Sequence, residues 1–98
     1  MTDPPELSPA ALRRARARAG NPAPSQRDVA ALFGVTQPLI AYLERGRRQV
    51  PRVLVPLYLA LVLATARPGV DLRRVFDRRA PEAERLAVLF RVAYPEER

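Results

Sequence analysis

The 98-residue chain contains no cysteine, no histidine and no lysine. Without cysteine and histidine it cannot form disulfides, use thiolate or imidazole catalysis, or build most kinds of zinc site. It also lacks a long apolar run, since the uncharged apolar stretch at residues 53–66 has only 14 residues and includes a proline. About 20 apolar residues are needed to span a bilayer. With no signal-peptide pattern at the start, we expect a soluble, cytoplasmic protein with no membrane partner.

The chain has an excess of positive charge, which is unevenly distributed along the sequence. All 17 basic residues are arginines, against 10 acidic residues, which gives a net charge of +7. Residues 13–52 carry nine of the arginines and only Asp28 and Glu44 as acids. Such a cluster favours a polyanionic partner, most often nucleic acid. An arginine-rich coding bias with solvated surface charge is the alternative that composition alone leaves open.

Start and stop signals predict a series of helices, and no segment alternates as a strand does. Ser8 before a proline predicts the first helix, which should end at Gly20. Ser25, followed three residues later by Asp28, predicts the second. A third should begin after the cap Thr36 and run over residues 37–45. Its proline at position 38 is tolerated because the amides of a first turn have no partner within the helix.

The rest of the chain predicts further helices, at residues 53–66, at 71–78 as a short fifth helix, and at 81–93. The helix at 53–66 is apolar nearly all round, which predicts that it is buried. The fold class is therefore all-α, a bundle of five to six helices. We expect residues 1–7 to be a disordered lead-in, residues 8–66 to be the main domain, and residues 67–98 to be a helical extension.

Helices two and three, joined by a three-residue turn, have the spacing of a helix-turn-helix. The stretch "SQRDVAALFGVTQPLIAYLERGRRQVPR" resembles the Cro/phage-repressor helix-turn-helix family, including the 434-type repressors. The resemblance covers about residues 8–66. It implies a lambda-repressor-like fold and a transcriptional regulator, expected to be a repressor, that binds double-stranded DNA in the cytoplasm at the nucleoid.

The resemblance also implies roles for individual residues. The third helix would lie in the major groove, where a glutamine amide can pair with adenine. The positions matching base-contacting residues are Gln37, Pro38, Leu39, Ala41 and Tyr42. The positions matching phosphate contacts are Gln26, Arg45, Arg47, Arg48 and Arg52. Arg16 and Glu44 match a structural ion pair. Pro38 and Leu39 stand where 434-type proteins have polar residues, so at most they contact a thymine methyl group or shape the fit.

Two other function classes can be compared with this hypothesis. An enzyme is not expected, because the chain has no nucleophile–base pair, metal-ligand spacing or glycine-rich phosphate loop. A protein-interaction module, such as an antitoxin-like or adaptor subunit, is the alternative that the apolar fourth helix motivates. We expect no cofactor and no small-molecule ligand. A homodimer is expected, and the apolar stripe of the last helix either mediates it or folds back on helix four of its own chain.

Overall fold

The computed structural model describes residues 7–95, which form five α-helices and no strand. The all-α class is therefore confirmed. The helices are α1 (Pro9–Arg18), α2 (Gln26–Phe33), α3 (Gln37–Glu44), α4 (Val55–Thr65) and α5 (Glu82–Ala93), with a 3-10 turn at Arg52–Leu54 before α4. Most of the predicted lead-in lies outside the described residues. Its last residue, Leu7, is only 3% exposed and belongs to the core, so the lead-in was predicted one residue too long.

Side-chain caps begin the first two helices as the sequence predicts. Ser8 Oγ accepts a hydrogen bond from the amide of Ala11, 3.2 Å away. At α2, Ser25 Oγ accepts from the amide of Asp28, and Asp28 Oδ2 accepts from the amide of Ser25, both at 3.0 Å. Thr36 occupies the cap position of α3 with extended backbone, but its hydroxyl makes no cap hydrogen bond. A cap usually accepts from the second or third amide of the helix, and proline at position 38 has no amide to donate.

Two glycines end α2 and α3 with the same motif. Gly34 and Gly46 have φ angles of 70° and 72°, a left-handed conformation that favours glycine. After each, an amide reaches back to a carbonyl five residues earlier: Val35 to Ala30 at 2.9 Å, and Arg47 to Tyr42 at 3.0 Å. Gly20 does not have this conformation and α1 ends at Arg18, so the predicted glycine cap of α1 is wrong.

The core lies where α1 to α4 meet. Leu12, Leu32, Ile40 and Leu61 are each at most 2% exposed. The ring of Phe33 packs edge-on against Tyr58 at 4.8 Å between centroids. Burying each such large side chain contributes about 1.5–3 kcal/mol to the free energy of folding, so this core holds the short helices α2 and α3 in place.

The short fifth helix predicted over residues 71–78 is wrong. Two successive turns form there: the amide of Val75 donates to Leu72 O at 3.0 Å in the first, and the amide of Ala80 donates to Asp77 O at 3.1 Å in the second. The side chains of Asp71 and Asp77 accept from backbone amides two residues later, at 2.9 and 3.0 Å. Such local bonds compete with helix formation. The first turn is nevertheless part of the core, since Leu72 and Val75 are fully buried.

Helix α5 packs against α4 of its own chain, and its apolar stripe contributes to the core. Leu89 is fully buried and Ala93 is 6% exposed, whereas Leu86 and Phe90 are partly buried. Of the two alternatives for this stripe, the structure matches the one in which it covers helix four. No helix in the part of the chain that the structure describes combines the length and apolarity needed to cross a bilayer.

Candidate nucleic-acid interface

Helices α2 and α3 are held together through small and buried residues at their junction. The turn between them contains Gly34, Val35 and Thr36. Ala30 is 3% exposed, and its small side chain lets the two helices approach. Ile40 is fully buried on the inner side of α3. As a result α3 is fixed by its inner face, and its first residues remain exposed to solvent.

A chain of polar side chains connects the core to the start of α3. Glu44 is 3% exposed, and its carboxylate accepts from Arg16 Nε at 2.8 Å and Arg16 Nη2 at 3.0 Å. Its Oε1 also accepts from Gln26 Nε2 at 3.1 Å. Gln26 Oε1 in turn accepts from Gln37 Nε2 at 2.8 Å. The predicted ion pair between Arg16 and Glu44 is thus present. The Glu44 carboxylate is hydrogen-bonded to Gln26, which is in turn hydrogen-bonded to Gln37.

The charges in this chain are well compensated. The hydrogen bond to Glu44 raises the pKa of Arg16. Arg16 Nη1 also donates to Pro24 O at 3.3 Å, and Arg13 Nη1 donates to the backbone carbonyl of Glu44. Beneath them lies Tyr58, whose hydroxyl is buried without a hydrogen-bond partner among the described residues. Burial, with a smaller effect of Glu44, raises the pKa of Tyr58, so its phenol stays neutral.

The predicted base-contacting residues fall into two groups. Gln37, Pro38 and Tyr42 are exposed, Tyr42 at 46%, and Leu39 is partly buried. Ala41 is only 8% exposed, which removes it from the exposed surface of α3. The base contact assigned to Ala41 through the family resemblance stays a prediction, for which only this small exposed area is available.

The four arginines that the sequence predicts as phosphate contacts lie at the end of α3 and in the connector to α4. Arg45, Arg47, Arg48 and Arg52 are all exposed. None of the four has an ion-pair partner within residues 7–95. Four uncompensated guanidinium groups on about eight consecutive residues make a strongly positive surface, suited to phosphate oxygens.

Two arginines of this region were not predicted as site residues. Arg13 bonds the end of α3, as described above. Arg78 Nη2 lies 3.0 Å from Asp28 Oδ1, on the first turn of α2. Arg78 and Asp28 are 50 positions apart, and no local pattern in the sequence indicates that they meet.

No group of three or more acidic, cysteine or histidine side chains within residues 7–95 could hold a metal ion. Comparisons with models of known protein families, with curated proteins and with solved structures found no match to this chain. The assignment of a function therefore depends on the residues themselves.

Proposed function

We propose that the protein is a transcriptional regulator, acting as a repressor, that binds double-stranded DNA in a sequence-specific manner. In this proposal α2 and α3 are the helix-turn-helix of a Cro/phage-repressor-type domain. Helix α3 enters the major groove with its first residues against the base edges. The observation that carries the proposal is the chain of hydrogen bonds from buried Glu44 through Gln26 to Gln37.

This chain supports base readout because it orients an exposed amide. A free glutamine on a helix surface samples several rotamers, whereas Gln37 is held 2.8 Å from Gln26. The bond uses one donor of the Gln37 amide and leaves its carbonyl oxygen and second N–H for a base. An adenine presents a donor and an acceptor in the major groove that match these two groups.

The positive charge around α3 supports a backbone contact on either side of the base contacts. Gln26 lies at the start of α2, where an amide side chain and the helix dipole both favour a phosphate. The exposed arginines at 45, 47, 48 and 52 follow α3 in the chain. Phosphate contacts of this kind fix the register of a protein on the duplex, and the base contacts supply the specificity.

The proposal includes a two-fold homodimer. Helix α3 has eight residues and is about 12 Å long, so one copy reads only a few base pairs. Two copies would read half-sites about 34 Å apart. Because the stripe of α5 is used within the chain, we assign the contact to the 3-10 turn before α4, where Val53 is 79% exposed next to Arg52.

Selection from random duplexes, followed by titration of the selected sequence in rising salt, tests the proposal. We expect a palindromic consensus and an affinity that falls with a log–log slope of about −0.9 per neutralised phosphate. Single-stranded DNA and duplex RNA are the controls and should bind more weakly. If no duplex binds even at low salt, the proposal fails and the protein-interaction module becomes the better hypothesis.

The structure weakens the original reason for that second hypothesis. It was motivated by the apolar circumference of α4, which a partner would have to cover. The described residues provide much of that cover themselves, because both α1 and α5 pack on α4. Tyr58, Ala60, Leu61 and Ala64 are each at most 1% exposed as a result.

A further inference from the structure

The segment of residues 71–79 is a rigid, positively charged part of the surface. It contains four arginines and two aspartates, which gives a net charge of +2. Leu72 and Val75 are fully buried and anchor it to the core. The side chain of Arg85, which is 7% exposed, donates from Nε to Val75 O at 2.7 Å and fixes its centre to α5. The arginines of this segment therefore project from a fixed backbone.

This segment lies directly beside the first turn of α2. Arg78 Nη2 is 3.0 Å from Asp28 Oδ1. Arg73 and Phe76 line one cleft of about 200 Å³ together with Pro24 and Asp28. The loop before α2 is thus flanked by Arg73 and Arg78, although both come from the C-terminal part of the chain.

The contact between Arg78 and Asp28 compensates a negative charge at the start of α2. Asp28 is one of the two acids within residues 13–52, and the other, Glu44, is buried and paired with Arg16. Hydrogen bonds from Ser25, with a smaller contribution from Arg78, lower the pKa of Asp28, so it is ionised at neutral pH. Its carboxylate stabilises the start of α2 but would repel a phosphate approaching Gln26. Arg78 offsets that charge.

We propose that Arg73 and Arg78 extend the DNA-binding surface beside α2, where Arg78 neutralises Asp28 and both arginines contact the phosphate next to the one bound at Gln26. This inference rests on the proposed function. It enlarges the interface beyond residues 8–66, to which the sequence resemblance is confined, and it gives the C-terminal extension a part in binding the duplex backbone.

The ion pairs that these arginines make in the free protein do not prevent a phosphate contact. Arg73 pairs with Asp71 at 2.8 Å, and the two side chains are 81% and 55% exposed. The Arg78–Asp28 pair is 57% and 36% exposed. Exposed pairs of this kind are weak and exchange partners readily. A phosphate can therefore share these guanidinium groups without any change in the fold.

Arg74 provides a matched control within the same segment. It is exposed like its neighbour Arg73, but it lines a different cavity, of about 240 Å³, together with Glu84 and Arg91 of α5. Replacing Arg74 by alanine removes the same charge from the same turn without touching the cleft beside α2. Because the double variant removes two charges and Arg74→Ala removes one, any effect of net charge alone would appear in Arg74→Ala at about half its size in the double variant.

The test is to titrate a labelled duplex with the wild-type protein, with Arg74→Ala and with the double variant Arg73→Ala/Arg78→Ala at several salt concentrations. We expect the double variant to flatten the salt slope by about 0.9, the value for the one phosphate that both arginines contact, and to weaken all sequences alike. Arg74→Ala should match the wild type. Ethylation interference should lose one outer phosphate signal in the double variant, next to the signal that Gln26→Ala removes.

A further variant isolates the role of Arg78. Asp28→Asn keeps a side-chain oxygen that can accept from Ser25 but removes the charge, so it should tighten binding and rescue the part of the Arg78→Ala loss that comes from the uncompensated Asp28, but not the lost phosphate contact. Wild-type binding with the same slope in the double variant and in Arg74→Ala would overturn the inference and leave the proposed function intact. Absence of wild-type binding to any duplex would overturn both. Thermal unfolding of each variant verifies that the fold is retained.

Discussion

Replacing Arg16 by methionine removes the charge that compensates Glu44 while keeping a long, flexible side chain. Glu44 has a side chain that is only 4% exposed, and Arg16 supplies two of the three side-chain hydrogen bonds to its carboxylate. In the variant only Gln26 remains as a donor. The carboxylate is then left in a buried site without a compensating charge.

The expected loss of stability can be worked out from the exposure of the two partners. Breaking a buried ion pair typically costs about 3–5 kcal/mol. Since the side chain of Arg16 is 26% exposed, we expect Arg16→Met to cost about 3 kcal/mol, the lower end of that range. Glu44→Met leaves a guanidinium that can turn toward water, and should cost about 1–2 kcal/mol, the value of its lost hydrogen bonds. The loss from Arg16→Met is a large share of the about 5–15 kcal/mol of a typical domain.

Urea unfolding of the wild type, both single variants and the double variant measures these values. The double variant Arg16→Met/Glu44→Met leaves no unpaired buried charge, so it should be more stable than Arg16→Met alone. The order of the two single variants is the decisive result. If Arg16→Met lost less than about 1 kcal/mol, as exposed pairs do, or if Glu44→Met were the more damaging change, the buried-charge argument would be refuted.

Three further predictions follow from the interface and its caps. Gln37→Ala should lose discrimination at one base pair, about 1–3 kcal/mol, whereas Arg48→Ala should weaken binding to all sequences alike. DNA selection with each variant measures this. If both variants selected the wild-type consensus, the placement of α3 would be contradicted. The Val53→Glu variant should sediment as a monomer and bind a palindrome no better than a half-site. An unchanged dimer would exclude the 3-10 turn before α4 as the dimer contact. The pKa of Asp28 is lowered in the folded state, so the stabilising effect of its carboxylate is complete above about pH 4 and is lost as the pH falls through that lowered value. The free energy of unfolding of Asp28→Asn, measured in urea, should therefore depend less on acid pH than that of the wild type. Equal pH dependence in the two proteins would be inconsistent with this.

The helices that begin at a strong cap could be predicted from the sequence. Ser8 and Ser25 each cap a helix, and Gly34 ends one, because these signals act through bonds to residues at most five positions away. The Arg16–Glu44 pair was also predicted, although only through the family resemblance. Local chemistry therefore accounts for most of α1, α2 and α3.

The errors arise where long-range packing or competing local bonds decide the structure. The segment around Leu72 and Val75 has helical spacing, yet Asp71 and Asp77 accept from backbone amides two residues later and the segment forms turns instead of a helix. The Arg78–Asp28 pair joins residues 50 positions apart, and only the packing of the C-terminal segment brings them together.

The hydrogen bond between Gln26 and Gln37 has a consequence for the entropy of recognition. A side chain that becomes immobilised when two molecules associate opposes that association by about 0.5–1.5 kcal/mol. The amide of Gln37 is already held at 2.8 Å from Gln26 in the free protein. Most of its rotamer freedom is therefore lost when the chain folds, at the same time as Glu44 is buried. In the proposed complex with DNA, Gln37 would therefore meet the base with its amide already in position.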